Sequence, residues 1–378
     1  MSTAWCFFRL QVATCLLTLF GFGGSIASAE ETKGLKIFTD GGAYQLSQEK
    51  AFFKPFEQET GTPIISAAKG DAVSLLKKWY GSSRSEGDVI NLTSFEAEKA
   101  CELGLLHSFT EEDIAPGANG QPIMQDFFPN SLMDCAVPNV AWAALMVVKP
   151  QKSKRKQARS WADFFNVKKI PGKRSLKKSA RFTLELALLS AGVKAGDVYE
   201  HLSTIAGQKK AFAQLEKLKD NIVWWDEAKA SLAAFQQDDV QMGLAFNGRL
   251  FNAIVADGVS AELVWRGHIY DFDYWAIPLK THNHVQALAF VKFATAPQRL
   301  AAQAKWMPYG PMRVSAQSFI KTHKIGKMPM KPFVPTAQKQ FLSALKFNEA
   351  WWHSEIGKAL ETQFANWLDG KLTWPEVE

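Results

Sequence analysis

Three times between residues 35 and 104 a short apolar segment is followed by an amphipathic one, and this alternation leaves few folds open to the chain. Residues 35–39 are strand-like. Residues 45–60 place Leu46, Phe52, Phe53 and Phe56 on or near one helical face, with Pro55 expected to kink the helix and Gly61 to end it. Pro63-Ile64-Ile65 is strand-like, Ala72 to Tyr80 helical, Asp88-Val89-Ile90-Asn91 strand-like again, and a helix over 95–103 closes on Gly104. Strand and helix in this order, with short connections, predict a parallel α/β sheet.

The second half continues in the same style. The run VPNVAWAALMVV, from Val137 to Val148, is too long for one small sheet and suits a crossing between two lobes. Ser179 is placed to cap a helix that ends at Gly192. A helix over 208–218, a strand at Ile222–Trp225, a helix over 229–237 and a strand VQMGLAF ending at Asn247-Gly248-Arg249 follow. Leu263 to Ile277 reads LVWRGHIYDFDYWAI, a second strand-rich passage that would provide a second crossing. The tail, 329–378, is helical and aromatic, with Trp351, Trp352 and Trp367 expected in the core.

The amino terminus points to export. One charge, Arg9, precedes an apolar stretch from Val12 to about Ile26 and a small-residue site at Ala27-Ser28-Ala29, the layout of a secretory signal peptide spanning 1–29. The stretch is shorter than the ~20 apolar residues that cross a bilayer. Cys6 and Cys15 leave with the leader, and Cys101 and Cys135 remain. With no CxxC and no His at ligand spacing, two cysteines in an oxidising compartment read as one disulfide, with two buried thiols as the alternative. About 350 mature residues are enough for two domains with their own cores. The 44 Lys and Arg exceed the 37 Asp and Glu, and the excess concentrates between Lys152 and Arg181, where Asp163 is the one acid. Export argues against nucleic acid as a partner. The basic run reads instead as a solvated face, or a surface for an acidic partner or anionic membrane.

No catalytic signature is present: GxSxG, HExxH, P-loop and GxGxxG are all missing, and neither a cofactor nor a metal site is expected. Asp271 and Asp273 alternate along a strand and so share a face. Such a pair would serve glycosidic chemistry in a secreted hydrolase, or form a wall for an ammonium group. The surrounding Tyr270, Phe272, Tyr274 and Trp275 favour cation binding over catalysis.

Several motifs, taken together and in order, resemble a known family. DGGAYQ then QEKAFFKPFEQETG, GDVINL leading to ACELGLL, GLAFNGRLF, YDFDYWAIP and PYGP are similar to the spermidine/putrescine-binding branch of the periplasmic solute-binding proteins, over nearly the whole mature chain. The resemblance implies a type II periplasmic-binding-protein fold: two α/β lobes, a ligand cleft and two crossing segments, with 30–139 plus 275–320 as one lobe and 140–274 plus 321–378 as the other. It implies a periplasmic monomer that hands a small solute to the permease subunits of an ABC importer. A Cys pair of the family matches Cys101 and Cys135, which strengthens the disulfide reading.

For the site, the resemblance implies cleft walls at Tyr44, Phe95, Phe246 and Tyr309, with core roles open for Phe95 and Phe246, and an amine contact at Asp273 beside Asp271. Asp40 stands where the family often has Trp. It either pairs with an amine or bonds its own turn. One departure bears on the ligand: Lys177-Lys178-Ser179, with Arg181, replaces acidic residues before a helix whose amino end favours anions. Arg249 adds another cation. These residues put a solute carrying both amine and carboxylate, such as a γ-amino acid or an opine-like compound, beside a polyamine as the expected ligand.

Overall fold

A computed structural model of the chain describes residues 34–151, 157–339 and 341–374. The leader assigned to 1–29 lies outside the described residues. Strands β1 (Leu35–Thr39), β2 (Ile64–Ala68) and β3 (Val89–Thr93) pair in parallel, with β1 between the other two. Helices cover this sheet because each buries one apolar stripe: Phe52, Phe53 and Phe56 from the first, Leu76 and Trp79 from the second. At Pro55, where a kink was expected, the helix after β1 runs on to Thr60. It widens into a π-helical turn at Glu49–Phe53 just before the proline, whose missing N–H leaves the ordinary α ladder incomplete there.

The later strands are β4 (Val137–Val148), β5 (Lys173–Lys177), β6 (Ile222–Trp225), β7 (Val240–Phe246), β8 (Glu262–Ala276), β9 (Gly310–Pro311) and β10 (Leu345–Lys346). They complete a ten-stranded sheet ordered β2-β1-β3-β8-β4-β7-β5-β6, with β10 on β8 and β9 on β4. The two ends are parallel, as the strand–helix alternation predicts. The middle is antiparallel, and there β4 and β8 run side by side between the two largest hydrophobic cores. Val137 and Ala141 of β4 and Phe272, Tyr274, Trp275 and Ala276 of β8 belong to the first core, whereas Ala144, Met146 and Val148 of β4 and Ile269 of β8 belong to the second. Cys101 and Cys135 form a disulfide, Cα–Cα 5.9 Å, that fixes the end of a helix close to the entry of β4.

Part of the basic run is structural. Arg174 on β5 is fully buried and donates to the carbonyls of Phe164, Ile170 and Gly172. The helix after β5, Ala180–Ser190, begins differently from expectation: Arg181 is extended and Phe182 takes φ 67°, stacking its ring on Phe347 at 4.6 Å. That strained backbone is held by tertiary contacts at both residues.

The carboxy-terminal helix Glu355–Leu368 docks on the second core through Leu360, Phe364 and Trp367, and Trp352 just before it is fully buried, while Trp351 is half-buried. The indole N–H of Trp352 donates to Glu185 at 2.7 Å, and the Tyr199 hydroxyl donates to the same oxygen at 3.2 Å. Burial pushes the Glu185 carboxyl up to about 7, above its ordinary 4.5. The folded state therefore keeps a proton that the unfolded state releases, and stability is lost as pH rises from about 4.5 through about 7. Glu185→Gln mimics the protonated acid. It should leave the melting temperature nearly unchanged at pH 4.5 and raise it at pH 8, and equal melting temperatures at pH 8 would refute the assignment.

Candidate ligand site

The ends of β1, β3, β7 and β8 and the middle of β4 converge on a cavity of about 680 Å³. Asp40 to Tyr44, Thr93, Trp142, Phe246 to Arg249, Asn252, Asp273, Met307 and Tyr309 line it. The Asp-Gly-Gly turn supplies one wall because Gly41 (φ 77°) and Gly42 (φ 58°) adopt left-handed backbone that lets a helix start directly after β1. Tyr309 is held by β9, where any Cβ at Gly310 would collide with Thr336, so the Pro-Tyr-Gly-Pro motif has a steric basis. The Tyr44 and Tyr309 rings meet at 5.4 Å.

Asp273 reaches the cavity from β8, where it pairs with Thr93 of β3 and Val140 of β4, and it is 5% exposed. No ion pair holds it among the described residues. Burial, reinforced by the charge of Asp40, pushes its pKa well above the usual carboxylate range. The buried Tyr44 hydroxyl faces it without a well-formed hydrogen bond. Burial and Asp273 raise both tyrosine hydroxyls, so they stay protonated as donors.

Opposite charge comes from the helix Asn247–Val255. The Asn247 side chain accepts from the Ala143 N–H at 3.0 Å and donates to the Pro308 carbonyl at 2.7 Å, tying this helix to β4 and to the segment carrying Tyr309. No side chain caps the helix start, and Asn247, Gly248 and Arg249 of its first turn line the cavity. Arg249 is exposed and, among the described residues, makes no ion pair. Trp142, Phe246 and the two tyrosines form the apolar walls between the charges, with Trp142 and Phe246 5.8 Å apart.

The cavity thus gathers Asp40, Tyr44, Phe246, Arg249, Asp273 and Tyr309. Two sequence candidates lie elsewhere. Phe95 stacks on His353 at 4.4 Å in a separate recess lined by Glu98, Tyr199 and Glu349. Asp271 is fully buried, accepts from the Ser94 hydroxyl at 2.7 Å, and is pushed up to about 7 by burial. The two aspartates share a strand face, yet they do not line one chamber.

The lysine pair also misses the cavity: Lys178 is exposed, and Arg181 pairs with Glu361 at 3.3 Å. Glu361 accepts from the Ala180 N–H as well, so the anion position at that helix start is filled from within the chain. A larger recess of about 760 Å³ beside Trp161 and Leu189 has Lys194 and Arg266 as its charged side chains and no acid. Sequence reasoning missed Trp142, the one aromatic in the β4 run, and Asn252, which lies three residues after Arg249 on the same helical face. Among the described residues no group of three or more His, Cys, Asp or Glu is placed to hold a metal ion.

A two-lobe α/β fold whose two crossing strands meet at an aromatic-walled cavity with a few charged groups has the layout of a solute-binding protein. Residues 51–329 match the family described as bacterial extracellular solute-binding protein, and the chain belongs to that family. It is 34% identical over 352 residues, 93% of this chain and 95% of its relative, to a gamma-aminobutyric acid-binding protein of Pseudomonas aeruginosa.

Among solved structures, an ABC transporter substrate-binding protein from Bradyrhizobium japonicum is 26% identical with a TM-score of 0.70, covering 89% of this chain and 99% of its own. A GABA receptor, Atu4243, is 24% identical with a TM-score of 0.69, covering 89% and 97%. The spermidine/putrescine substrate-binding protein of Streptococcus pneumoniae shares the fold at 17% identity and a TM-score of 0.69, covering 89% and 99%. The family-level resemblance therefore holds, whereas its polyamine branch is represented by a distant likeness of fold. The relatives are binding proteins rather than enzymes. No helix among the described residues is long and apolar enough to cross a membrane.

Proposed function

We propose that the chain is the periplasmic substrate-binding component of an ABC importer and captures an ω-amino acid of the γ-aminobutyrate type without chemical turnover. The observation that carries this reading is the placement of the Asp273 carboxyl and the Arg249 guanidinium on one cavity, with neither ion-paired among the described residues. The ammonium group goes to Asp273 and the aromatic walls, and the carboxylate to Arg249 and the open helix start. The two largest hydrophobic cores correspond to the two lobes, and closure about β4 and β8 buries the solute and presents the closed form to the permease. The relative that binds gamma-aminobutyric acid supports the same assignment.

A polyamine is the second reading, favoured by the presence of both Asp40 and Asp273 on the cavity. It leaves Arg249 facing a dication. A thermal-shift screen of mature protein with ω-amino acids, opine-type conjugates, dicarboxylates and diamines separates the readings. A ligand at a hundredfold over its Kd adds about 2.7 kcal/mol. The proposal expects the main shift among the ω-amino acids, and a shift confined to diamines would overturn it.

A further inference from the structure

The cavity wall formed by Asp40 contains an ammonium group of the protein's own. Lys69 directly follows β2, and its backbone N–H donates to the Thr39 carbonyl at 2.6 Å, which places it beside the turn that carries Asp40. Its side chain is 2% exposed and lies against two carboxylates: Asp40, 3.2 Å away, and Glu96. Glu96 is fixed independently, since it closes a capping box with Thr93 at the start of the helix Ser94–Glu102. Asp40 is 43% exposed and lines the cavity, so it shows the solute one face while Lys69 covers the other.

Burial works against the Lys69 charge, but Asp40 and Glu96 outweigh it and hold the lysine protonated. No motif in the sequence marks this residue.

We infer that Lys69 is a specificity-determining residue: its ammonium takes, from inside the protein, the place beside Asp40 that one end of a diamine would occupy. The inference rests on the reading of this cavity as the solute site. With Asp40 already paired, the cavity offers one unpaired carboxylate, Asp273, and one unpaired cation, Arg249. A zwitterion satisfies both. A diamine leaves its second charge near Lys69 or Arg249, a like-charge contact that selects against it.

The test replaces Lys69 with Met and, to keep a hydrogen-bond donor should the apolar variant fail to fold, with Gln. Calorimetry with 1,4-diaminobutane and γ-aminobutyrate is then run on wild type, on each variant, and on Asp40→Asn in the variant background. The expected result is at least a tenfold gain in diamine affinity for the folded Lys69 variant, a smaller change for γ-aminobutyrate, and loss of the gain when Asp40→Asn is added. Unchanged diamine affinity in folded Lys69→Gln, a gain that survives Asp40→Asn, or a wild type that already binds the diamine as tightly as the variant would each overturn it. Failure of wild type to bind any ω-amino acid would instead count against the functional reading, and the diamine arm still decides the role of Lys69.

Discussion

Asp273→Asn is expected to weaken binding of an ω-amino acid by at least ~30-fold while leaving the empty protein no less stable. Removing one partner of a buried charge pair costs about 2–5 kcal/mol. Asn keeps the shape and a hydrogen-bonding oxygen but cannot neutralise an ammonium. The stability half of the prediction follows from the sign of the shift. Burial and the charge of Asp40 raise the Asp273 pKa, so the folded state without ligand is penalised for ionising it as pH rises. Asn removes that penalty. Calorimetric titration and thermal melts at pH 7.5 read both halves, and a variant that binds as tightly as wild type would remove Asp273 from the site.

Arg249→Gln is the second large effect, because a guanidinium fork is the group that recognises a carboxylate by two parallel hydrogen bonds. Arg249 lies on the helix Asn247–Val255, whose first turn opens on the cavity, and Asn247 locks that helix to β4. Loss of charge-assisted hydrogen bonds worth about 1.5–3 kcal/mol each predicts at least ~30-fold weaker binding of an amino acid. An amine that lacks a carboxylate should lose nothing, and a diamine should bind somewhat better. The polyamine reading expects only that last gain. Equal affinities of wild type and variant for an ω-amino acid would show that the carboxylate is held elsewhere.

The local grammar of the chain was legible because it is written in near neighbours. Gly61, Gly104 and Gly192 were expected to end helices, and all three adopt positive φ, at 72°, 64° and 84°. Two long β-like runs were expected to cross, and β4 and β8 do so side by side. What escaped depends on distant partners. Lys177, Lys178 and Arg181 looked like an anion site from their order before a helix. Glu361, separated from Ala180 by 181 residues, fills that place instead. Asp271 and Asp273 share a face by strand alternation, but Ser94, at the start of the helix Ser94–Glu102, claims one of them. Of the cations that suggested a carboxylate-bearing ligand, Lys177, Lys178, Arg181 and Arg249, it is Arg249 that lines the cavity. Lys69 carried no signal at all, since its partners meet it only where β1, β2 and β3 end together.

The central claim is that one cavity reads both ends of one solute, and titration calorimetry with γ-aminobutyrate, butyrate and butylamine on the mature protein tests it most directly. The account predicts that γ-aminobutyrate binds at least ~100-fold, or about 2.8 kcal/mol, more tightly than either truncated compound. Butylamine binding as tightly as γ-aminobutyrate would leave Arg249 without a role, butyrate doing so would leave Asp273 without one, and either result would contradict the account.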